Sequence, residues 1–150
     1  MIALVQRVRS ASVAINGDTV SEIGPGMLIL LGIHKSDTIS QLEWVARKCS
    51  ALRIFADDAG KMNRSIIDVN QEILVVSQFT LYGSVERGNR PSFENAAKPD
   101  IAEPLYDEFV GRLNDIIGVP VQTGRFGAMM DIKLINDGPV TIVVEQLSTA

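Results

Sequence analysis

The feature that most restricts the fold is the run Glu72-Ile73-Leu74-Val75-Val76, which passes directly into Ser77-Gln78-Phe79-Thr80-Leu81-Tyr82. An unbroken apolar run has no face to offer to water, so Val75 and Val76 are expected to be fully buried in a strand. A polar segment at the end of a buried strand is a common seat of binding chemistry, because the strand fixes it and the following loop opens it to ligand. Ser77, Gln78 and Thr80 are also residues that satisfy local backbone groups at strand ends. From this stretch alone both readings stand.

The remaining segments supply strands and two helices. Residues 2–9 alternate as a strand does, and Ser12 to Ile15 meets Asn16-Gly17, the strongest short hairpin signal, before Thr19 to Ile23 returns. Gly24-Pro25-Gly26 turns into the apolar strand Met27 to Leu31. That Gly-x-Gly is a weak match to a dinucleotide loop, since Ile29 stands where the third glycine belongs and a strand follows. Thr38 and Gln41 fit a capping box for a helix to about Leu52, with Ile39, Leu42, Val45, Ala46, Cys49 and Leu52 on one face. Cys49 on that stripe reads as a small core residue. Asp100 is expected to cap a second helix with Pro104 in its first turn and Ile101, Leu105, Phe109, Leu113 and Ile116 as its stripe. Asp131 to Ile135 and Val140 to Val144 read as strands joined by the turn Asn136-Asp137-Gly138-Pro139. Hairpins plus two amphipathic helices predict one α+β domain over 1–150, with sheet packed on helices.

Composition narrows the chemistry. With one histidine, His34, and one cysteine, Cys49, a soft-ligand zinc site within one chain is not expected, nor is a Ser–His–Asp or Cys–His machinery that does without His34. His34, at a strand end before a polar turn, reads as a solvated or capping residue, and Asp57-Asp58 as a solvated turn without calcium-loop spacing. No apolar run approaches a membrane span, and the alternating N-terminus lacks the order of a signal peptide, so a cytoplasmic protein is expected. The net charge of −4 argues against a protein that coats nucleic acid non-specifically. Arg87 and Arg90 flank Gly88 in a loop where guanidinium and backbone groups can approach a phosphate together, although charged loops are commonly just solvated. Gly138-Pro139 is unusual in a hairpin turn, because proline gives no donor to a ladder. An X–Pro bond is cis in roughly one case in twenty, so the ordinary trans turn is the expectation from these residues.

Ser77-Gln78-Phe79-Thr80-Leu81 and Asn136-Asp137-Gly138-Pro139-Val140-Thr141 together resemble the two signature motifs of the D-aminoacyl-tRNA deacylases. The likeness runs through Gln6-Arg7-Val8, Gly24-Pro25-Gly26, Arg53-Ile54-Phe55, Gly60-Lys61-Met62-Asn63, Arg90-Pro91-Ser92-Phe93 and Thr123-Gly124-Arg125-Phe126. Met129 departs from an acidic position of the pattern, and Glu86 and Asn89 sit in a loop that is often more basic. The resemblance implies a three-layer β/β/α fold, a homodimer without cofactor, and hydrolysis of the ester joining a D-amino acid, or glycine mischarged on tRNA-Ala, to the 3′ end of tRNA. It assigns Gly138 and Pro139, joined by a cis peptide bond, the role of a chirality gate reaching into the partner subunit's pocket, with Phe79 and Thr80 as that pocket's floor. Thr80 as nucleophile lacks an evident base. The favoured chemistry is therefore attack by water with backbone N–H groups of Phe79 and Thr80 as oxyanion hole, and Gln78 orienting water or the terminal nucleotide. A non-catalytic homodimeric tRNA-binding module using Arg87, Arg90 and Lys98, a small-molecule esterase, and a deacylase of relaxed chirality remain as alternatives.

Overall fold

A computed structural model describes residues 1–148. Its centre is a six-stranded sheet built from β1 (Ile2–Ile15), β2 (Asp18–Ile23), β3 (Gly26–Gly32), β6 (Glu72–Ser77), β7 (Gln122–Thr123) and β8 (Asp131–Glu145). The order is β2-β1-β3-β6-β7, and β8 pairs with β1. Pairing is antiparallel except that β6 runs parallel to both β3 and β7. Around it lie α1 (Ile39–Ala51), the short hairpin β4 (Phe55–Ala56) and β5 (Met62–Arg64), the four-residue α2 (Ile66–Val69) and α3 (Pro99–Ile116).

The alternation within the central strands explains three layers. Ile73 and Val75 of β6, with Met27, Ile29 and Leu31 of β3, face a core shared with Leu42, Val45, Ala46 and Cys49 of α1 and Phe109 and Leu113 of α3. Leu74, Val76 and Leu28 face the other way, onto Val8, Ala11, Val13 and Ile23, where the outer half of β1 and β2 fold back over the sheet. The helices cover one face and strands the other, a β/β/α arrangement in one α+β domain. Val75 and Val76 are buried as the apolar run predicts, at 0% and 1% exposure.

Local chemistry sets the element ends. Asn16 and Gly17 both take positive φ (51° and 84°), as the two-residue hairpin requires. Thr38 N–H donates to Gln41 Oε1 (2.8 Å) and Ser40 N–H to Thr38 Oγ1 (3.3 Å), so the expected capping box of α1 is present, a device typically worth about 1 kcal/mol.

Three expectations need correction. The N-cap of α3 is Lys98, not Asp100, which falls in the first turn, and Pro104 lies inside the helix rather than in its first turn. Pro99 at the first helical position is the reason, since its fixed φ suits that site and starts the helix early. The buried face of α3 then comprises Ala102, Tyr106, Phe109 and Leu113, leaving Ile101 45% exposed. The third concerns Gly138-Pro139: it is not a hairpin turn, because β8 continues through it along one partner strand. Thr141 pairs with Gln6 and Asn136 with Val8, so residues 137–140 bulge out opposite the single residue Arg7. A bulge tolerates the missing proline donor as a turn does, which is why the sequence pattern does not separate them.

Candidate active site

Strand β6 ends at Ser77, paired with Leu31, and Gln78 N–H donates to the Leu31 carbonyl (2.8 Å). The chain then tightens into a 3-10 turn over Phe79–Tyr82. Gly32 makes this possible, since a Cβ there would stand 3.0 Å from Leu81 Cβ and 3.2 Å from the Gln78 carbonyl oxygen. The first internal bond is Leu81 N–H to the Gln78 carbonyl (3.3 Å), so the N–H groups of Phe79 and Thr80 precede it and receive no acceptor from the turn itself. The Gln78 side-chain amide hydrogen-bonds Thr80 Oγ1. An amide is not a base, and it leaves the Thr80 hydroxyl with no group to remove its proton.

Phe79 is 53% exposed and stacks edge-to-face on Phe93, ring centres 5.1 Å apart. The two rings stand at one side of a cleft of about 550 Å³ that includes Ser77, Gln78 and Phe79 in its wall. Phe126, Met129 and Met130 line it too, as do Ala97 and Lys98 just before α3. The cleft is lined mostly by apolar groups with a few polar ones, the usual composition of a small-ligand site. Met129, the departure from the family pattern, lines it at 91% exposure.

Of the residues singled out in the sequence, Ser77, Gln78 and Phe79 come together in this wall, with Thr80 next along the turn. Arg87 and Arg90 lie apart, in a separate polar cleft of about 310 Å³ with Glu86, Glu94 and Asn95. Reciprocal bonds between the backbones of Ser84 and Ser92 (2.8 Å each way) hold that loop closed. Gly138 and Pro139 are exposed and line neither cleft. Their peptide bond is cis, not the trans form expected from these residues alone. Around it the bulge is tied at both ends. Asn136 Nδ2 donates to the Val140 carbonyl (3.0 Å) and Val140 N–H to Asn136 Oδ1 (2.7 Å).

Arg7, which the sequence shows only as part of the Gln6-Arg7-Val8 motif, anchors the bulge. Its Nε–H donates to the Asp137 carbonyl (2.9 Å) and its Nη1–H to the Ile54 carbonyl, with the Asp137 carboxylate 3.6 Å away. These partners are remote in the chain, and no local spacing signals them. The four charges at 57, 58, 61 and 64 form a self-contained turn. Asp57 accepts N–H groups of Lys61 and Ala59 and an Asn63 amide, and the Lys61 bond above all holds its carboxyl below the usual range. Among the described residues no group of three or more His, Cys, Asp or Glu is placed to hold a metal ion.

The comparisons agree on the kinship. The model of the family D-Tyr-tRNA(Tyr) deacylase matches residues 4–145. A D-aminoacyl-tRNA deacylase from Desulfatibacillum aliphaticivorans is 54% identical over 145 residues, covering 97% of this chain and 99% of its own. One of the same name from Chlorobaculum parvum is also 54% identical, with 97% of each chain covered. A solved structure titled "c-Myc DNA Unwinding Element Binding Protein" superposes with a TM-score of 0.94 at 43% identity, covering 99% of this chain and 100% of that one. Another, titled as a probable eukaryotic D-amino acid tRNA deacylase, shares the fold at TM-score 0.83 and 19% identity, with 95% and 97% covered. The chain belongs to the D-Tyr-tRNA(Tyr) deacylase family, hydrolases of the aminoacyl-tRNA ester bond.

Proposed function

We propose that this protein removes D-amino acids from tRNA by hydrolysing the 3′ ester, with the terminal nucleoside in the 550 Å³ cleft and the ester carbonyl at the 79–80 turn. The observation that carries the reading is an apolar cleft whose wall includes Phe79, with Thr80 beside it, in a turn that offers no acceptor to the backbone N–H of either residue. Such groups are suited to the oxyanion that forms when water adds to the carbonyl. Collapse of that adduct breaks the acyl–oxygen bond, and the ribose hydroxyl leaves with a proton. Gln78 orients the water or the terminal nucleotide, and Ser77 completes the wall.

Gly138 and Pro139 act on the cleft of a second copy. There their main chain occupies the space an L side chain would need and leaves a D side chain pointing outward. Rejection by clash is indifferent to side-chain identity, and it passes glycine, so glycyl-tRNA mischarged on tRNA-Ala is a further substrate. The homodimer is supported by β8, whose only strand partner among the described residues is β1, and which exposes Ile135, Ile142 and Val143. A long apolar edge of this kind is a surface that natural proteins cover. Arg87 and Arg90, without ion-pair partners among the described residues, contact the tRNA phosphates. No helix among the described residues is long and apolar enough to cross a membrane, and a tRNA substrate favours work in the cytoplasm.

The test is deacylation of matched D- and L-tyrosyl-tRNA. Hydrolysis of the D ester with the L ester spared is expected, and equal rates on both would defeat the gate. In the same assay Thr80→Ala keeps most of its activity if the backbone does the chemistry; complete loss in a folded variant would make the hydroxyl a nucleophile.

A further inference from the structure

Among the described residues that line the 550 Å³ cleft, Lys98 is the sole charged one. The rest of the wall is apolar or neutral. Lys98 is exposed, forms no ion pair within the described residues, and its side chain makes no capping bond although it occupies the N-cap of α3. Its backbone is fixed from both sides. The preceding Ala97 donates its N–H to the Ile33 carbonyl (2.9 Å), and the Lys98 carbonyl accepts from Ile101 (3.0 Å) and Ala102 (2.8 Å). A lysine with a fixed backbone, no ion pair among the described residues and an exposed place in the wall of a neutral cleft leaves its charge available to a ligand. In a chain of net charge −4 it is also a local exception to the surrounding field.

We infer that Lys98 binds the phosphate that joins the last two nucleotides of the tRNA acceptor end, an assignment that rests on the deacylase reading above. An apolar cleft accepts a nucleoside but not its phosphate, whose charge must remain in water or meet a cation. The 5′-phosphate of a nucleoside seated in the cleft therefore emerges at the rim, where the Lys98 ammonium supplies a charge-assisted hydrogen bond. The group binds and orients; it takes no part in ester cleavage. The contact is specific to nucleotide esters, because an ester lacking the phosphate offers Lys98 nothing.

The experiment compares D-tyrosyl-tRNA with the D-tyrosyl ester of adenosine, which has no 5′-phosphate. For each ester kcat and KM are measured with the wild-type protein and with Lys98→Ala and Lys98→Arg. Lys98→Ala is expected to lower the kcat/KM preference for tRNA over adenosine ester about fivefold, mainly through KM on tRNA, the scale of one exposed ion pair. Lys98→Arg is expected to restore it. The slope of log(1/KM) against log salt for the tRNA ester should flatten by about 0.7 in Lys98→Ala, one single-strand phosphate's worth. Equal effects of Lys98→Ala on both esters would make the residue structural and overturn the inference, as would an unchanged preference. A wild-type protein inactive on both esters would overturn the deacylase reading itself, and this assignment with it.

Discussion

At Gly138 the backbone leaves room for nothing larger than hydrogen. Its φ is +142°, and a Cβ there would lie 2.8 Å from Val140 Cγ2, 3.0 Å from the Val140 nitrogen and 3.2 Å from Arg7 Nη2. Two of the three neighbours belong to the bulge and the third to its anchor, so none can yield without moving the segment that the proposed gate depends on. Gly138→Ala is expected to cost about 1–2 kcal/mol of stability and to lower the D-over-L selectivity of deacylation at least tenfold. Denaturant midpoints and paired D- and L-ester assays measure the two effects, and wild-type selectivity in a destabilised variant would separate the bulge from the gate. The two motif stretches were readable in the sequence as unusual chemistry, yet the anchoring of this bulge was not. Arg7 reaches partners 47 and 130 positions away, and a strand arginine carries no local mark of such a task.

Among the elements, α1 was the most legible, since its capping box and its stripe from Leu42 to Cys49 are both local patterns. The start of α3 was misplaced because Asp100 is a good cap residue in its own right, while the adjacent Pro99 starts the helix two residues earlier. Tyr106 was missed as a core residue for a related reason. Its ring packs among apolar side chains while its hydroxyl donates to the Val75 carbonyl (2.8 Å), a satisfaction visible only once β6 and α3 are docked. The stripe of α1 carries a testable consequence at Cys49. Complete burial pushes its thiol from an ordinary 9.0 up to about 12. The folded state thus keeps a proton that the unfolded chain gives up above pH 9, so stability present below that pH declines as pH rises toward 12. The tyrosines Tyr82 and Tyr106, raised chiefly by burial from an ordinary 10.0, add loss of the same sign centred one pH unit higher. Between pH 9 and 10 Cys49 supplies the larger share of the slope, which for one such group is at most about 1.4 kcal/mol per pH unit. Urea midpoints across that interval are expected to fall in the wild type and to fall less steeply in Cys49→Ala. Parallel slopes would show that the thiol is not what the alkaline side strains.

For the molecule as a whole, a sheet packed on helices followed from patterns that sequence displays well: apolar runs for the central strands, a three- and four-residue stripe for α1, and Asn16-Gly17 for the first hairpin; the second β layer came only with the family resemblance. What sequence could not display was how the first residue ties the last strand to the site. The Met1 ammonium is buried, 2.9 Å from Asp37 and 2.7 Å from the Gln146 carbonyl, which it donates to at the end of β8. The other oxygen of Asp37 accepts the His34 N–H (2.7 Å), fixing the turn whose neighbour Ile33 lines the cleft and whose imidazole stands edge-on to Tyr82, 5.2 Å between rings. One carboxylate therefore joins the first strand, the last strand and the wall of the cleft. Neither partner of this ion pair reaches solvent, each side chain being 0% exposed. Asp37→Ala leaves a cation in a site that water cannot enter, together with an N–H that has lost its acceptor. The expected loss is about 3–5 kcal/mol, a large part of the stability of a domain this size. Because the contact reaches the cleft only through the 33–37 turn, the variant measured well below its unfolding transition should keep kcat and show a raised KM for the tRNA ester. A kcat that falls while the fold persists would place Asp37 closer to the chemistry than these contacts do.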